Sequence, residues 1–140
     1  MDQGQGMKNG GGERESVLVL VVDDDRRMRS VMSRFISLSG YQVIEAADGS
    51  EGTALALEKD QHIILLDMDM PGKNGLEVLK ELAPLMPGTG FIIVTGNVDE
   101  ELARSCLGFG AFDYVSKPVD LEVLAHTIKA RLLVRRQPPF

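Results

Sequence analysis

Six consecutive apolar residues, Val17-Leu18-Val19-Leu20-Val21-Val22, run without a polar interruption and stop at three aspartates, Asp23-Asp24-Asp25. A strand wetted on one face alternates apolar and polar side chains. A short β-branched run with no alternation fits a parallel strand covered on both faces, so helices must lie on either side of it. Past Asp25 the period changes to that of a helix. Met28, Val31, Met32, Phe35 and Ile36 recur at steps of three and four and form one apolar stripe, while Arg26, Arg27, Arg29 and Arg34 occupy the other face. Asp25 is the candidate N-cap of this helix and Gly40 the candidate C-cap.

The same alternation repeats along the chain. Tyr41–Ala46 reads as a strand, Ser50–Lys59 as a helix, and Ile63–Leu66 as a second wholly apolar strand ending at Asp67. After a Pro71-Gly72 turn, Leu76, Val78, Leu79 and Leu82 mark a short helix closed by Pro84, Pro87, Gly88 and Gly90. Phe91–Thr95 is a third apolar strand, Asp99–Phe109 a helix and Phe112–Val115 a last short strand. Leu121, Leu124, Ala125, Ile128 and Leu132 stripe a final helix. Five β–α repeats predict an α/β fold, a doubly wound five-stranded parallel sheet with five helices. In such sheets ligands bind beyond the carboxyl ends of the strands, where the strand order reverses.

A chain of 140 residues has room for one domain. Residues 1–15, with Gly4, Gly6, Gly10, Gly11 and Gly12, read as a flexible leader, 16–135 as the domain and 136–140 as a C-terminal tail. No apolar run approaches the ~20 residues of a membrane helix. A net charge of −6 and a pI near 4.9 offer nucleic-acid phosphates no attraction, so direct nucleic-acid binding is not expected. The single Cys106 excludes an internal disulfide and a CxxC metal site, which suits a reducing, cytoplasmic setting. Within an apolar helical stretch beside Leu102 and Leu107, Cys106 is expected to be buried packing. His62 and His126 lack a second ligand at metal spacing and read as structural or surface residues. Arg131, Arg135 and Arg136 suit a helix C-terminus and a solvated tail.

The polar residues at the predicted strand ends carry the chemistry. Asp23 and Asp24 end the first strand, Asp67 the third and Thr95 the fourth, while Lys117 follows the fifth. Carboxylates crowded on one rim repel, and a hard divalent cation holds them ionised. Mg²⁺ suits them because it accepts one or two carboxylates and keeps several waters. Lys117 adds a fixed positive charge and Thr95 a hydroxyl. Together these groups would cradle a phosphoryl group on Asp67, so the chemistry inferred is phosphoryl transfer to a carboxylate.

Four blocks, Val21-Val22-Asp23-Asp24, Leu65-Leu66-Asp67-Met68-Asp69-Met70-Pro71-Gly72, Ile93-Val94-Thr95-Gly96 and Gly110-Ala111-Phe112-Asp113-Tyr114-Val115-Ser116-Lys117-Pro118, resemble the signature segments of response-regulator receiver domains of two-component signalling. The resemblance covers about residues 16–135. It implies a flavodoxin-like sheet of strand order 2-1-3-4-5. It further implies that Asp67 is the phosphoacceptor, Asp24 a direct Mg²⁺ ligand and Asp23 a ligand through a metal-bound water. The backbone carbonyl of Asp69 would complete the metal set. Thr95 and Tyr114 would be paired switch residues, Lys117 the phosphoryl-binding lysine, and the Lys117-Pro118 bond cis. Asp69 and Asn97 would flank the path of the attacking water. The partners implied are a sensor histidine kinase or phosphotransfer protein and an output partner or effector domain, with room for a phosphorylation-dependent homodimer. Asn74, Gln61-His62 and Val119 depart from the usual pattern at positions away from the phosphoryl chemistry.

Two other readings compete. Asp67-Met68-Asp69 resembles the DxD pair of haloacid-dehalogenase-like phosphatases, but Pro71 stands where a Thr or Val normally follows, and the acidic pair Asp23-Asp24 lies upstream rather than downstream. A receiver-shaped interaction module that never uses phosphate normally lacks one of the key side chains, and this chain keeps them all. No GxxxxGK[ST] motif follows any strand.

Overall fold

The structure, a computed structural model, describes residues 14, 16–96 and 99–136. Five strands alternate with helices: β1 Leu18–Val22, α1 Arg26–Leu38, β2 Gln42–Ala46, α2 Gly49–Glu58, β3 Ile63–Asp67, α3 Gly75–Leu82, β4 Gly90–Thr95, α4 Glu100–Gly108, β5 Asp113–Ser116 and α5 Leu121–Arg136. A short 3₁₀ turn, Ala83–Leu85, follows α3. All strand pairs are parallel and their order is β2-β1-β3-β4-β5, as the resemblance implied.

The unbroken apolar strands have the expected consequence, since alternate residues feed two separate cores. Leu20, Val22, Ile64, Leu66, Phe91 and Ile93 pack against Ala56 of α2, Val78, Leu79 and Leu82 of α3 and Cys106 of α4. Val19, Val21, Ile63, Leu65, Ile92 and Val94 face Met32 and Ile36 of α1 and Leu124 and Ile128 of α5. Cys106 is buried as anticipated, and burial pushes its thiol above its usual range, whereas the neighbouring Leu107 is exposed.

Local capping sets the element ends. The Asp25 side chain accepts from the backbone N–H groups of Arg27 and Met28, making it the N-cap of α1. At the other end Ser39 is the C-cap and Gly40 follows with φ +100°, a left-handed conformation that suits glycine. The second helix begins one residue earlier than its sequence pattern suggests, because Asp48 caps it by accepting from Glu51 N–H. Asn74 and Glu77 form a reciprocal capping box on α3, so Asn74, which departs from the usual pattern of the resemblance, serves as the helix cap. The last strand is shifted by one residue to Asp113–Ser116, and the last helix extends to Arg136.

Two arginines behave differently from their sequence reading. Arg14, within the stretch read as a leader, donates to the Ser39 carbonyl at 2.8 Å and lies 5.6 Å from the Tyr41 ring centroid. Arg131, read as part of a solvated end, donates to the Gly88 carbonyl at 3.2 Å and stacks over Phe112. The side chains of Arg135 and Arg136 lie outside the described residues. His62 has a structural role, its Nδ1 accepting from Leu18 N–H at 3.1 Å, and His126 is exposed on α5. Among the described residues no helix is long and apolar enough to cross a membrane.

Candidate functional site

The strand order reverses between β1 and β3, and their register pairs Val22 with Leu66. The next residues along the two strands, Asp23 and Asp67, therefore emerge side by side at the carboxyl edge, where a crevice opens between the two helix layers. Asp23 is fully buried and tightly held: its N–H donates to the Ala46 carbonyl at 3.2 Å and its Oδ1 accepts from Asp25 N–H at 2.8 Å. Its Oδ2 is buried without a hydrogen-bond partner and lies 3.8 Å from Lys117 Nζ. Asp67 is 2% exposed, and its Oδ1 accepts from both Asp69 N–H and Lys117 Nζ, each at 3.1 Å. Asp24 is exposed beside them, and one carboxylate oxygen from each of Asp23, Asp24 and Asp67 lies within 4.8 Å of the others.

Thr95 ends β4, buried, and its carbonyl accepts from Lys117 N–H at 2.8 Å, which ties the lysine loop to the neighbouring strand end. The Lys117-Pro118 bond is cis, as anticipated. The Asp69 carboxylate turns toward the β4–α4 loop, where Oδ2 accepts from Gly96 N–H at 3.4 Å. A methyl group added at Gly96 would stand 4.0 Å from both Asp69 Oδ2 and Lys117 Cβ, an ordinary van der Waals distance. Tyr114 stands apart from this cluster, 38% exposed on β5. Asn97 lies outside the described residues.

Burial drives the electrostatics. It raises the Asp67 pKa above the ordinary carboxylate value, and the Asp23 charge adds to the rise. Asp23 and Asp24 are raised too, again first by burial, with the Asp67 interaction adding at Asp24 and the Lys117 charge opposing at Asp23. At Lys117 burial works against the ammonium, but the hydrogen bond to Asp67 and the charges of Asp23, Asp67 and Asp69 outweigh it and hold the pKa above its usual value. Three crowded carboxylates, one with a buried oxygen that lacks a hydrogen-bond partner, share the charge of Lys117. All the donors are hard oxygens, so the set fits a hard divalent cation.

Sign follows from this strain. A carboxyl with a raised folded-state pKa favours its protonated form, so it costs stability as pH rises through its unfolded value toward the folded one. In chelator the domain should therefore lose stability across the upper carboxylate range. Asp67→Asn removes one charge while keeping an acceptor for Lys117. It is expected to raise the metal-free melting temperature at neutral pH. A melting curve in chelator that moves down instead would contradict the repulsion.

Sequence reasoning missed Arg29, which it placed on the solvent face of α1. The side chain is only 17% exposed, and its Nη1 donates to the Asp23 carbonyl at 2.8 Å. Long helical side chains lean toward the helix N-terminus, which brings a residue one turn into α1 back over the aspartate turn.

The model of the response regulator receiver domain matches residues 19–129 of this chain. The chain belongs to the response-regulator receiver family. This receiver is 35% identical over 118 residues to a cyclic di-GMP phosphodiesterase of Thermotoga maritima, a match covering 81% of this chain and 32% of that protein. It is 34% identical over 118 residues to the aerobic respiration control protein ArcA of Escherichia coli K12, covering 84% of this chain and 48% of ArcA. The receiver thus spans a third to a half of these longer relatives, and the phosphodiesterase name belongs to the longer protein. Among solved structures, a CheY-like receiver domain protein from Methanospirillum hungatei superposes with a TM-score of 0.82 at 32% identity, covering 85% of this chain and 95% of that one. Chemotaxis protein CheY4 of Vibrio cholerae gives 0.77 at 29%, covering 81% and 97%. Receivers are phosphoacceptor switches of two-component systems, working with histidine kinases or phosphotransfer proteins and with output domains.

Proposed function

We propose that Asp67 of this receiver accepts a phosphoryl group from a phosphohistidine of a sensor histidine kinase or phosphotransfer protein, in a Mg²⁺-dependent reaction. The observation that carries the reading is the buried Asp67 carboxylate at the end of β3, gripped by Lys117 at 3.1 Å and crowded by Asp23 and Asp24. An Asp67 carboxylate oxygen attacks phosphorus, the bond from phosphorus to the histidine nitrogen breaks, and the imidazole leaves with the electron pair. Lys117 stays close to the developing charge on the phosphoryl oxygens, and the Thr95 hydroxyl supplies a further donor. The Asp24 and Asp67 carboxylates and the Asp69 carbonyl would hold the Mg²⁺, Asp23 acting through a water, and the ion would neutralise charge on the phosphoryl oxygens. Water attacking the same phosphorus later releases phosphate and restores the carboxylate, so the domain catalyses its own phosphorylation and slow dephosphorylation without being an enzyme acting on a separate substrate.

Output follows from a two-state surface. Thr95 moves toward the phosphoryl group and the exposed Tyr114 ring turns inward, shifting a pre-existing equilibrium on the face made by α4, β5 and α5. That face carries exposed Leu107, Tyr114 and Val123, suited to an output partner, an effector domain or a second phosphorylated copy. We place the working unit at about residues 16–135, in the cytoplasm, with no membrane and no nucleic acid bound by this domain.

Beryllofluoride with Mg²⁺ tests the reading without a kinase. As a phosphoryl mimic that binds only the folded state, it should raise the melting temperature beyond Mg²⁺ alone, and Asp67→Asn should abolish the increment. A receiver-shaped module that never uses phosphate would show no increment in the wild type.

A further inference from the structure

The Asp23-Asp24 turn is braced from outside the site. Arg29 of α1 donates through Nη1 to the Asp23 carbonyl at 2.8 Å and through Nε to Glu45 Oε1 of β2 at 3.1 Å. The Asp23 N–H is already fixed on the Ala46 carbonyl, and Oδ1 on the Asp25 amide. With the carbonyl held as well, the one polar atom of Asp23 without a hydrogen-bond partner is the buried Oδ2, 3.8 Å from Lys117 Nζ. The Asp23 carbonyl and the Asp24 N–H belong to one planar peptide unit, so a clamp on the first fixes the plane from which Asp24 projects. Asp24 is exposed, and nothing in its own burial fixes its direction.

We infer that Arg29, held by Glu45, is a positioning residue for the metal site: it sets the direction of the Asp23 and Asp24 carboxylates and thereby the affinity for Mg²⁺. The inference rests on the Mg²⁺-dependent reading above. A bare guanidinium near the site would weaken cation binding by repulsion. Glu45 offsets that charge, the pair being 17% and 43% exposed, so that the clamp's geometry outweighs its field. The fork of Arg also matters, because it spans two acceptors on different elements, which a lysine ammonium does not do in a fixed plane.

The test is calorimetric titration with MgCl₂ of the whole chain, at a temperature far below every variant's melting transition, so that a loss of stability alone does not move the result. Arg29→Ala is expected to weaken Mg²⁺ binding by roughly tenfold, the scale seen when groups that orient metal ligands are removed. Glu45→Gln should weaken it in the same direction by less. The double variant should be no weaker than Arg29→Ala, because Glu45 acts through Arg29. Unchanged or tighter binding in Arg29→Ala overturns the inference, as does a double variant that shows the two losses added independently. Should Arg29→Ala fail to fold, Glu45→Gln on the sheet edge decides, and an unchanged affinity there overturns it. If the wild type itself binds no Mg²⁺, the metal reading of the site falls, and this inference with it.

Discussion

Asp67→Asn is expected to reduce phosphate incorporation from acetyl phosphate to background while the domain stays folded. The asparagine amide is a poor nucleophile, and an acyl phosphate cannot form on it. Asp23 is held by the Asp25 amide and Arg29, and Asp24 lies at the exposed rim, so neither takes over the grip that Lys117 has on Asp67 Oδ1. The change is nearly isosteric, so packing beside the Asp69 amide is retained. Quantitative phosphate labelling of the wild type and the variant in Mg²⁺ checks this. Labelling of the variant at wild-type stoichiometry would mean that another residue is the acceptor.

The second large effect belongs to Lys117. Its Nζ lies 3.1 Å from Asp67 Oδ1 and 3.8 Å from Asp23 Oδ2, on a side chain three-quarters buried, where a fixed charge acts with little solvent screening. Removing one preorganised donor to developing oxyanion charge costs about 3 kcal/mol, or roughly 10²-fold in rate. Lys117→Ala should therefore slow phosphorylation by acetyl phosphate by about that factor at saturating Mg²⁺. In chelator it should also melt at a lower temperature than the wild type, since three carboxylates lose their nearest cation. Lys117→Arg restores the charge but not the compact ammonium geometry and should fall between the two. An initial rate for Lys117→Ala within a factor of two or so of wild type would remove the lysine from the chemistry.

Much of the fold and of the site is legible in the sequence, for identifiable reasons. The runs Val17–Val22, Ile63–Leu66 and Phe91–Thr95 have no polar alternation, so they had to be central parallel strands, and their polar terminators had to gather on one rim. That rule brings Asp23, Asp24 and Asp67 together, and the end of the last short strand adds Lys117, as the structure does. The strand order came from the family resemblance, because apolar periodicity does not state which strands are neighbours. Arg29 was not legible from its helix face: a side chain's direction along the helix, and the Glu45 that meets it, depend on how β2 packs beside α1. Arg14 and Arg131 were misplaced for a related reason. The glycines before Arg14 read as a leader and the arginines around Arg131 as a solvated end, whereas both guanidinium groups lie over aromatic rings, of Tyr41 and Phe112. The boundary shift of α2 traces to Asp48, a cap that the apolar stripe of that helix does not reveal.

The most direct test of the central claim is chemical mapping of the phosphorylated wild-type chain. An acyl phosphate is reduced by borohydride to the corresponding alcohol, so an acceptor aspartate becomes homoserine and can be located by peptide mass spectrometry. After exposure to acetyl phosphate and Mg²⁺, homoserine is expected at Asp67 alone, and none is expected when Mg²⁺ is chelated. Homoserine at Asp23, Asp24 or Asp69 in place of Asp67, or none at all in a chain that binds Mg²⁺, would contradict the assignment.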